Sequence, residues 1–118
     1  MMTVRWLKSS HDFQVVYKTG KRFDSRYMTV FALQNAIETD RFGLTASRRV
    51  AKNAVDRNRM KRLLREAVRS ISSENSELSF ARYDFVINAK RSLLAVKVSV
   101  PCAELALIFM SATRSKTA

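Results

Sequence analysis

The sequence predicts an α/β sandwich, one sheet with helices covering part of it, and three observations point there. Residues 21–47 hold short runs rich in β-branched and aromatic residues, broken by a polar turn. Residues 54–71 repeat apolar positions at a helical period, and residues 83–89 then alternate as a strand does. Hydrophobic residues make up 47% of the 118, ordinary for a globular chain that builds one core rather than two. Residues 1–118 therefore read as a single domain in the order α-β-β-β-α-β-α, with 113–118 as a frayed tail.

Each element has a local reason. Ser9 or Ser10 caps a first helix, Asp12 stands near its positive end, and Phe13, Val16 and Tyr17 fall at i, i+3 and i+4. Gly20 ends that pattern as a C-terminal cap would. Lys21–Asp24 reads as a short strand, Tyr27–Asn35 as a second and Phe42–Ser47 as a third, with a polar turn at Ala36–Arg41. Their closeness in sequence favours an antiparallel meander.

Asn53 is a good N-cap for the next helix, and Asp56 stands where a capping-box acid would. Met60, Leu63, Leu64, Ala67, Val68 and Ile71 share one face, while Asn58, Arg59, Lys61, Arg62, Arg65 and Arg69 occupy the other. Ser70–Arg82 has no period and reads as a loop. In Tyr83–Ala89, Tyr83, Phe85, Ile87 and Ala89 alternate with Asp84, Val86 and Asn88. Pro101 suits the first turn of a last helix that carries Leu105, Ile108 and Phe109.

Composition removes whole classes. Two glycines and one proline exclude a collagen-like chain, and one cysteine excludes a disulfide scaffold. No apolar run approaches the roughly 18 residues of a membrane helix, and Met1–Lys8 lacks an apolar signal core. The expectation is a compact cytoplasmic domain with no membrane partner. Its 22 Lys and Arg against 10 Asp and Glu give a net charge of +12, and self-repulsion of that size calls for a polyanion, with nucleic acid ahead of an anionic lipid surface.

No residue set reads as catalytic. His11, the one histidine, lies beside a helix cap and fits a polar first-turn role better than that of a base. Cys102 reads as a small buried hydrophobe or an inert thiol. Glu74 and Glu77 are an acidic pair in the Ser-rich stretch, where solvated loop charge explains them; no metal site is expected. Gly20 and Gly43 are too few and too far apart for a phosphate-binding loop.

The charge is concentrated. Arg48–Arg69 holds nine basic residues and two acids, so that segment carries +7. Arg57, Lys61 and Arg65 run at i, i+4 and i+8, a spacing at which like charges oppose the helix. A solvated face would mix signs. Arginine also suits phosphate, since its planar fork binds two oxygens at once. Single strands are held by stacking as well as by charge, and Phe13, Tyr17, Tyr27, Phe31, Phe42, Tyr83 and Phe85 are the candidate platforms, most of them needed for the core.

The run Lys52-Asn53-Ala54-Val55-Asp56-Arg57-Asn58-Arg59-Met60-Lys61-Arg62-Leu63-Leu64-Arg65-Glu66 closely resembles the signature helix of the bacterial ribonuclease P protein subunit, with Arg57-Asn58-Arg59 at its centre and Arg48-Arg49 before it. Asp12-Phe13, Gly20, Arg22-Phe23, Tyr27, Gly43 and Tyr83-Asp84 fall in the expected order, so the resemblance spans about residues 5–112. It implies an α/β sandwich of the ribosomal protein S5 domain 2-like type, with a four-stranded sheet and a left-handed βαβ crossover through the basic helix. It also implies a monomeric subunit of an endoribonuclease whose RNA subunit performs the hydrolysis, with Mg2+ held mainly by RNA and substrate and precursor tRNA losing its 5′ leader.

By that resemblance Arg48, Arg49, Lys52, Arg57, Asn58, Arg59, Lys61, Arg62 and Arg65 meet the catalytic RNA, while Phe13, Tyr17, Lys90 and Arg91 flank a leader cleft. Two positions depart from the family pattern: Tyr17 where phenylalanine is frequent and Ala51 where glycine is common. A generic RNA-binding or ribosomal-type module without a role in cleavage is the alternative reading of the same charge. An autonomous nuclease is opposed by the missing catalytic cluster.

Overall fold

The structure is a computed structural model that describes residues 4–37, 39–74 and 82–114. Three helices, α1 (Ser10–Thr19), α2 (Ala54–Glu74) and α3 (Ser99–Arg114), and four strands, β1 (Lys21–Asp24), β2 (Met28–Gln34), β3 (Arg41–Thr45) and β4 (Tyr83–Ala89), follow the expected order. A 3-10 turn at Arg91–Ala95 adds an element that no periodicity announced.

The sheet order is β1-β2-β4-β3. β1–β2 and β2–β4 are antiparallel, whereas β3 runs parallel to β4. The expected three-strand meander is therefore corrected: β4 inserts between β2 and β3. The reason lies in β4 itself, where Tyr83 through Ile87 are all buried, so the strand needs a neighbour on each edge and cover on each face. Helix α2 supplies the long crossover that two parallel neighbours require.

Period-2 alternation gives the sheet two different faces. Met28, Val30, Ala32, Phe42, Tyr83, Phe85, Ile87 and Ala89 turn toward α2 and α3 and join Met60, Leu64, Ala67, Val68, Leu105 and Phe109 in the main core. Its centre is aromatic: Phe85 lies 4.4 Å from Phe109 and 5.5 Å from Phe42, ring centre to ring centre. Cys102 packs, partly buried, against this core. The opposite face carries a smaller cluster of Leu7, Val16 and Val86, with Phe13, Phe31 and Leu33 around it, under α1.

Several element ends differ from the sequence reading. Helix α2 runs through Ser70–Glu74, where a loop was expected, because buried Ile71 continues the stripe of Ala67 and Val68. Glu74 is thus helical, and residues 75–81, Glu77 among them, lie outside the described residues. Helix α3 includes Thr113, whose hydroxyl donates to the carbonyl of Phe109 at 3.0 Å, so the expected tail begins inside a helix; residues 115–118 lie outside the described residues.

Ser9 caps α1, accepting the amides of His11 and Asp12. Gly20 is extended, with φ −77° and ψ 160°, so it is not a left-handed cap. A close approach explains it instead: a Cβ there would meet the Val16 carbonyl oxygen at 2.5 Å. The chain before α1 pairs along the free edge of β3, where Leu7 N–H donates to the Phe42 carbonyl at 2.7 Å and Phe42 N–H to that of Arg5 at 2.9 Å.

Candidate RNA interface

The α1 side of the sheet is built in transverse rows set by strand register. Asp24, Thr29, Asn88 and Thr45 form one row across all four strands. Phe31, Val86 and Gly43 form the next, with Arg22 at its β1 end. Leu33, Asp84 and Arg41 form the third. Helix α1 sits on the apolar middle row, and Gly43 makes room for it: a Cβ there would lie 2.6 Å from the Phe13 ring.

Each polar row is satisfied in its own way. In the third, Arg41 donates twice to buried Asp84, at 2.9 and 2.7 Å, and Asn35 donates to the same carboxylate at 2.7 Å. That carboxylate, followed more weakly by Asp12 at 3.6 Å, raises the Arg41 pKa. This row closes the far end of the face, and its Arg41 also borders a separate recess with Asp12 and the chain before α1.

The first row is open. It floors a cleft of about 550 Å³ whose lining includes Phe13 and Tyr17 from α1, Thr29, Thr45 and Asn88 from the sheet, Ser47 and Val50 from the loop after β3, Lys61 from α2, and Lys90. The Tyr17 ring stands edge-on to Phe31 at 5.0 Å. Its hydroxyl donates to Asn88 Oδ1 at 2.9 Å, so the departure from phenylalanine fastens the ring to the cleft floor.

Lys90 lies at the edge but is not a free charge. Its ammonium donates to the Ser25 carbonyl at 2.6 Å and pairs with Asp24 at 2.9 Å. Arg91 is exposed and does not line the cleft; it reaches back to the Val50 carbonyl at 3.3 Å.

Residues 46–53, between β3 and α2, form a wound loop. Ser47 accepts the amides of Val50 and Ala51. The Arg57 guanidinium donates to the carbonyls of Ala51 and Lys52, at 2.9 and 2.8 Å. Arginines thus hold three consecutive carbonyls, Val50 to Lys52, while Arg48, Arg49 and Lys52 stay exposed. Ala51 is fully buried, and no non-glycine residue other than Arg82 has positive φ among the described residues, so alanine fits where glycine is common. On α2, Asn58, Arg59, Arg62, Arg65 and Arg69 are exposed; Lys61 is half-buried because it turns to the cleft.

The aromatic candidates are now sorted. Phe13 and Tyr17 wall the cleft, Phe31 lies beside Tyr17, Phe42, Tyr83 and Phe85 belong to the main core, and Tyr27 packs partly buried against it. The sequence reading missed Thr29, Thr45 and Asn88. Their signal was period-2 alternation, which puts each on the α1 side, but the row appears only once the strand order is known.

A model of the family "Ribonuclease P" matches residues 1–112. The chain belongs to the ribonuclease P protein family. It is 38% identical over 86 residues to the ribonuclease P protein component of Clostridioides difficile strain 630, covering 73% of this chain and 72% of that one. Similarity to the component from Fusobacterium nucleatum is 40% over 86 residues, covering 72% of each chain. Among solved structures it resembles the Staphylococcus aureus RNase P protein, with a TM-score of 0.75 and 25% identity over 93% of this chain and 96% of that one. As a ribonuclease P protein it is a subunit of the ribonucleoprotein endoribonuclease that matures tRNA 5′ ends, and it requires an RNA subunit.

No three His, Cys, Asp or Glu gather into one site among the described residues, and no described helix is long and apolar enough to cross a membrane. The one carboxylate in the open row, Asp24, is held below its ordinary pKa of 3.8 by hydrogen bonds from Lys90 first and Thr29 second. A lowered folded pKa contributes stability that is complete above the unfolded value and is lost as pH falls through the folded one. Denaturation followed against pH is therefore expected to steepen below about pH 4 in the wild type and less in the D24N variant. Equal acid profiles for the two proteins would dismiss the pair as a stability element.

Proposed function

We propose that the open row and its aromatic walls receive the single-stranded 5′ leader of precursor tRNA, while the basic side of α2 and the loop before it dock on the catalytic RNA. The observation that carries this reading is Lys61, which belongs to the basic helix and also lines the cleft. One continuous cationic surface then spans two RNA segments, the partner and the substrate. Arg48, Arg49, Lys52, Arg59, Arg62 and Arg65 meet phosphates of the catalytic RNA, with Asn58 beside them. Arg57 supports the loop as well as the RNA, given its bonds to two loop carbonyls.

Phe13 and Tyr17 offer ring faces or edges to leader bases, and Lys90 offers charge to a leader phosphate in competition with Asp24. Arg91, outside the cleft lining, serves the rim. Mg2+ stays with the phosphates of the RNA subunit and substrate, and one copy of the chain acts per RNA in the cytoplasm. The protein's contribution is to place the substrate and to offset phosphate repulsion in the folded RNA.

Reconstitution tests this directly. Adding the protein to a cognate catalytic RNA at low Mg2+ is expected to raise precursor-tRNA cleavage, more for leader-bearing substrates with several leader nucleotides than for those with one. Tight RNA binding with no stimulation at any Mg2+ concentration would replace the proposal with a generic RNA-binding module.

A further inference from the structure

We infer that Asn88 is a donor-only reader of one leader base, fixed in that role by Tyr17 and Thr45. The inference rests on the leader-cleft reading above and concerns what the cleft recognises.

Two hydroxyls converge on one atom of the Asn88 amide: Tyr17 at 2.9 Å and Thr45 at 2.5 Å. That atom is the carbonyl oxygen Oδ1, and both hydroxyls donate to it. A carbonyl oxygen has two lone pairs, and both are taken. The other end of the amide, Nδ2, carries two N–H groups and donates to no group among the described residues. It is not entombed either, since no buried side-chain nitrogen or oxygen there lacks a partner. Nδ2 therefore meets solvent in the cleft that Asn88 lines, between the aromatic wall of α1 and Lys61.

An asparagine free to turn pairs with adenine through both amide atoms, one donating and one accepting. Asn88 cannot do so, because its acceptor is occupied. What it presents is a donor at a fixed point. Uracil and guanine pair an exocyclic carbonyl with a ring N–H along their Watson–Crick edges; cytosine and adenine pair an amino group with a bare ring nitrogen. The two classes thus exchange donor and acceptor at the same places, and a fixed donor favours one class and opposes the other. A stacked base held by Phe13 or Tyr17 needs only this one bond to be sorted by class. Single-hydrogen-bond energetics set the expected discrimination at about 2- to 12-fold.

The test uses the reconstituted holoenzyme and precursor tRNAs carrying each of the four bases in turn at each leader position, with a leaderless tRNA as reference. The wild type is expected to show one position at which keto and amino bases differ in affinity by about 2- to 12-fold. In the N88A variant that ratio should collapse toward one, while affinity for the leaderless tRNA, which reports an intact fold and helix interface, holds. The T45V variant, which keeps its volume and frees one lone pair of Oδ1, should reduce the ratio without abolishing it. A class ratio of one at every position in the wild type, or a ratio unchanged by N88A, would overturn the role of Asn88. Equal wild-type affinity for leader-bearing and leaderless tRNA would instead overturn the leader-cleft reading beneath it.

Discussion

Replacing Asp84 with alanine is expected to lower folding stability by about 3 kcal/mol, measured by urea denaturation of the free protein. Asp84 is 4% exposed and accepts two hydrogen bonds from Arg41 and one from Asn35. Removing a buried partner leaves the other charge uncompensated, which typically costs about 3–5 kcal/mol. The Arg41 side chain keeps 25% of its exposure and has Asp12 at 3.6 Å, so water and that second carboxylate soften the loss toward the lower figure. Asn35 still has the Thr39 carbonyl at 3.1 Å and is not orphaned. The D84N variant, which keeps an acceptor for the guanidinium, should lose less than D84A. A loss below about 1 kcal/mol in D84A would mean that the pair behaves as a surface bridge. Because a domain of this size has roughly 5–15 kcal/mol in hand, the effect takes a large share of it.

The second large effect has opposite signs in the free and bound protein. The double variant R62Q/R65Q removes two exposed charges from α2 while keeping residues of similar helix propensity. Lys61 and Arg65 stand four apart, as do Arg65 and Arg69, so each loses a like-charge neighbour. The free protein should become more stable by a few tenths of a kcal/mol. Affinity for the catalytic RNA should fall, and the slope of log affinity against log salt should flatten by about 1.4–1.8, at about 0.7–0.9 for each lost phosphate contact. An unchanged slope would refute direct phosphate contact by these two arginines. A destabilised free protein would show that they pair within the fold instead of repelling.

How far the sequence could be read depended on whether the signal was local. Helix α2 was legible because its two faces differ so sharply, from Met60 and Leu64 to Arg62 and Arg65, and β4 because it alternates cleanly. The order of the strands was not legible. Nearness in sequence suggested that β3 follows β2, whereas the burial of both faces of β4 requires the central place, and that is a property of the assembled sheet. The basic interface could be named residue by residue, since charge and spacing are local properties of a helix. Lys90 was recognised as basic, but its pairing with Asp24 joins residues 66 positions apart and leaves no trace in either neighbourhood. The Asn88 clamp is hidden in the same way: Tyr17 and Thr45 reach it from an earlier helix and a neighbouring strand.

The segment that pairs Arg5 and Leu7 with Phe42 also covers a sheet edge that another chain could otherwise extend. It occupies the outer rim of β3, so among the described residues the sheet has one open rim left, that of β1. β1 is four residues long, and Lys21 and Arg22 stand at its start with exposed side chains. A second copy docking along so short an edge would gain few backbone bonds. A strongly basic chain that must wait for RNA is thereby denied the template along which sheets stack into aggregates.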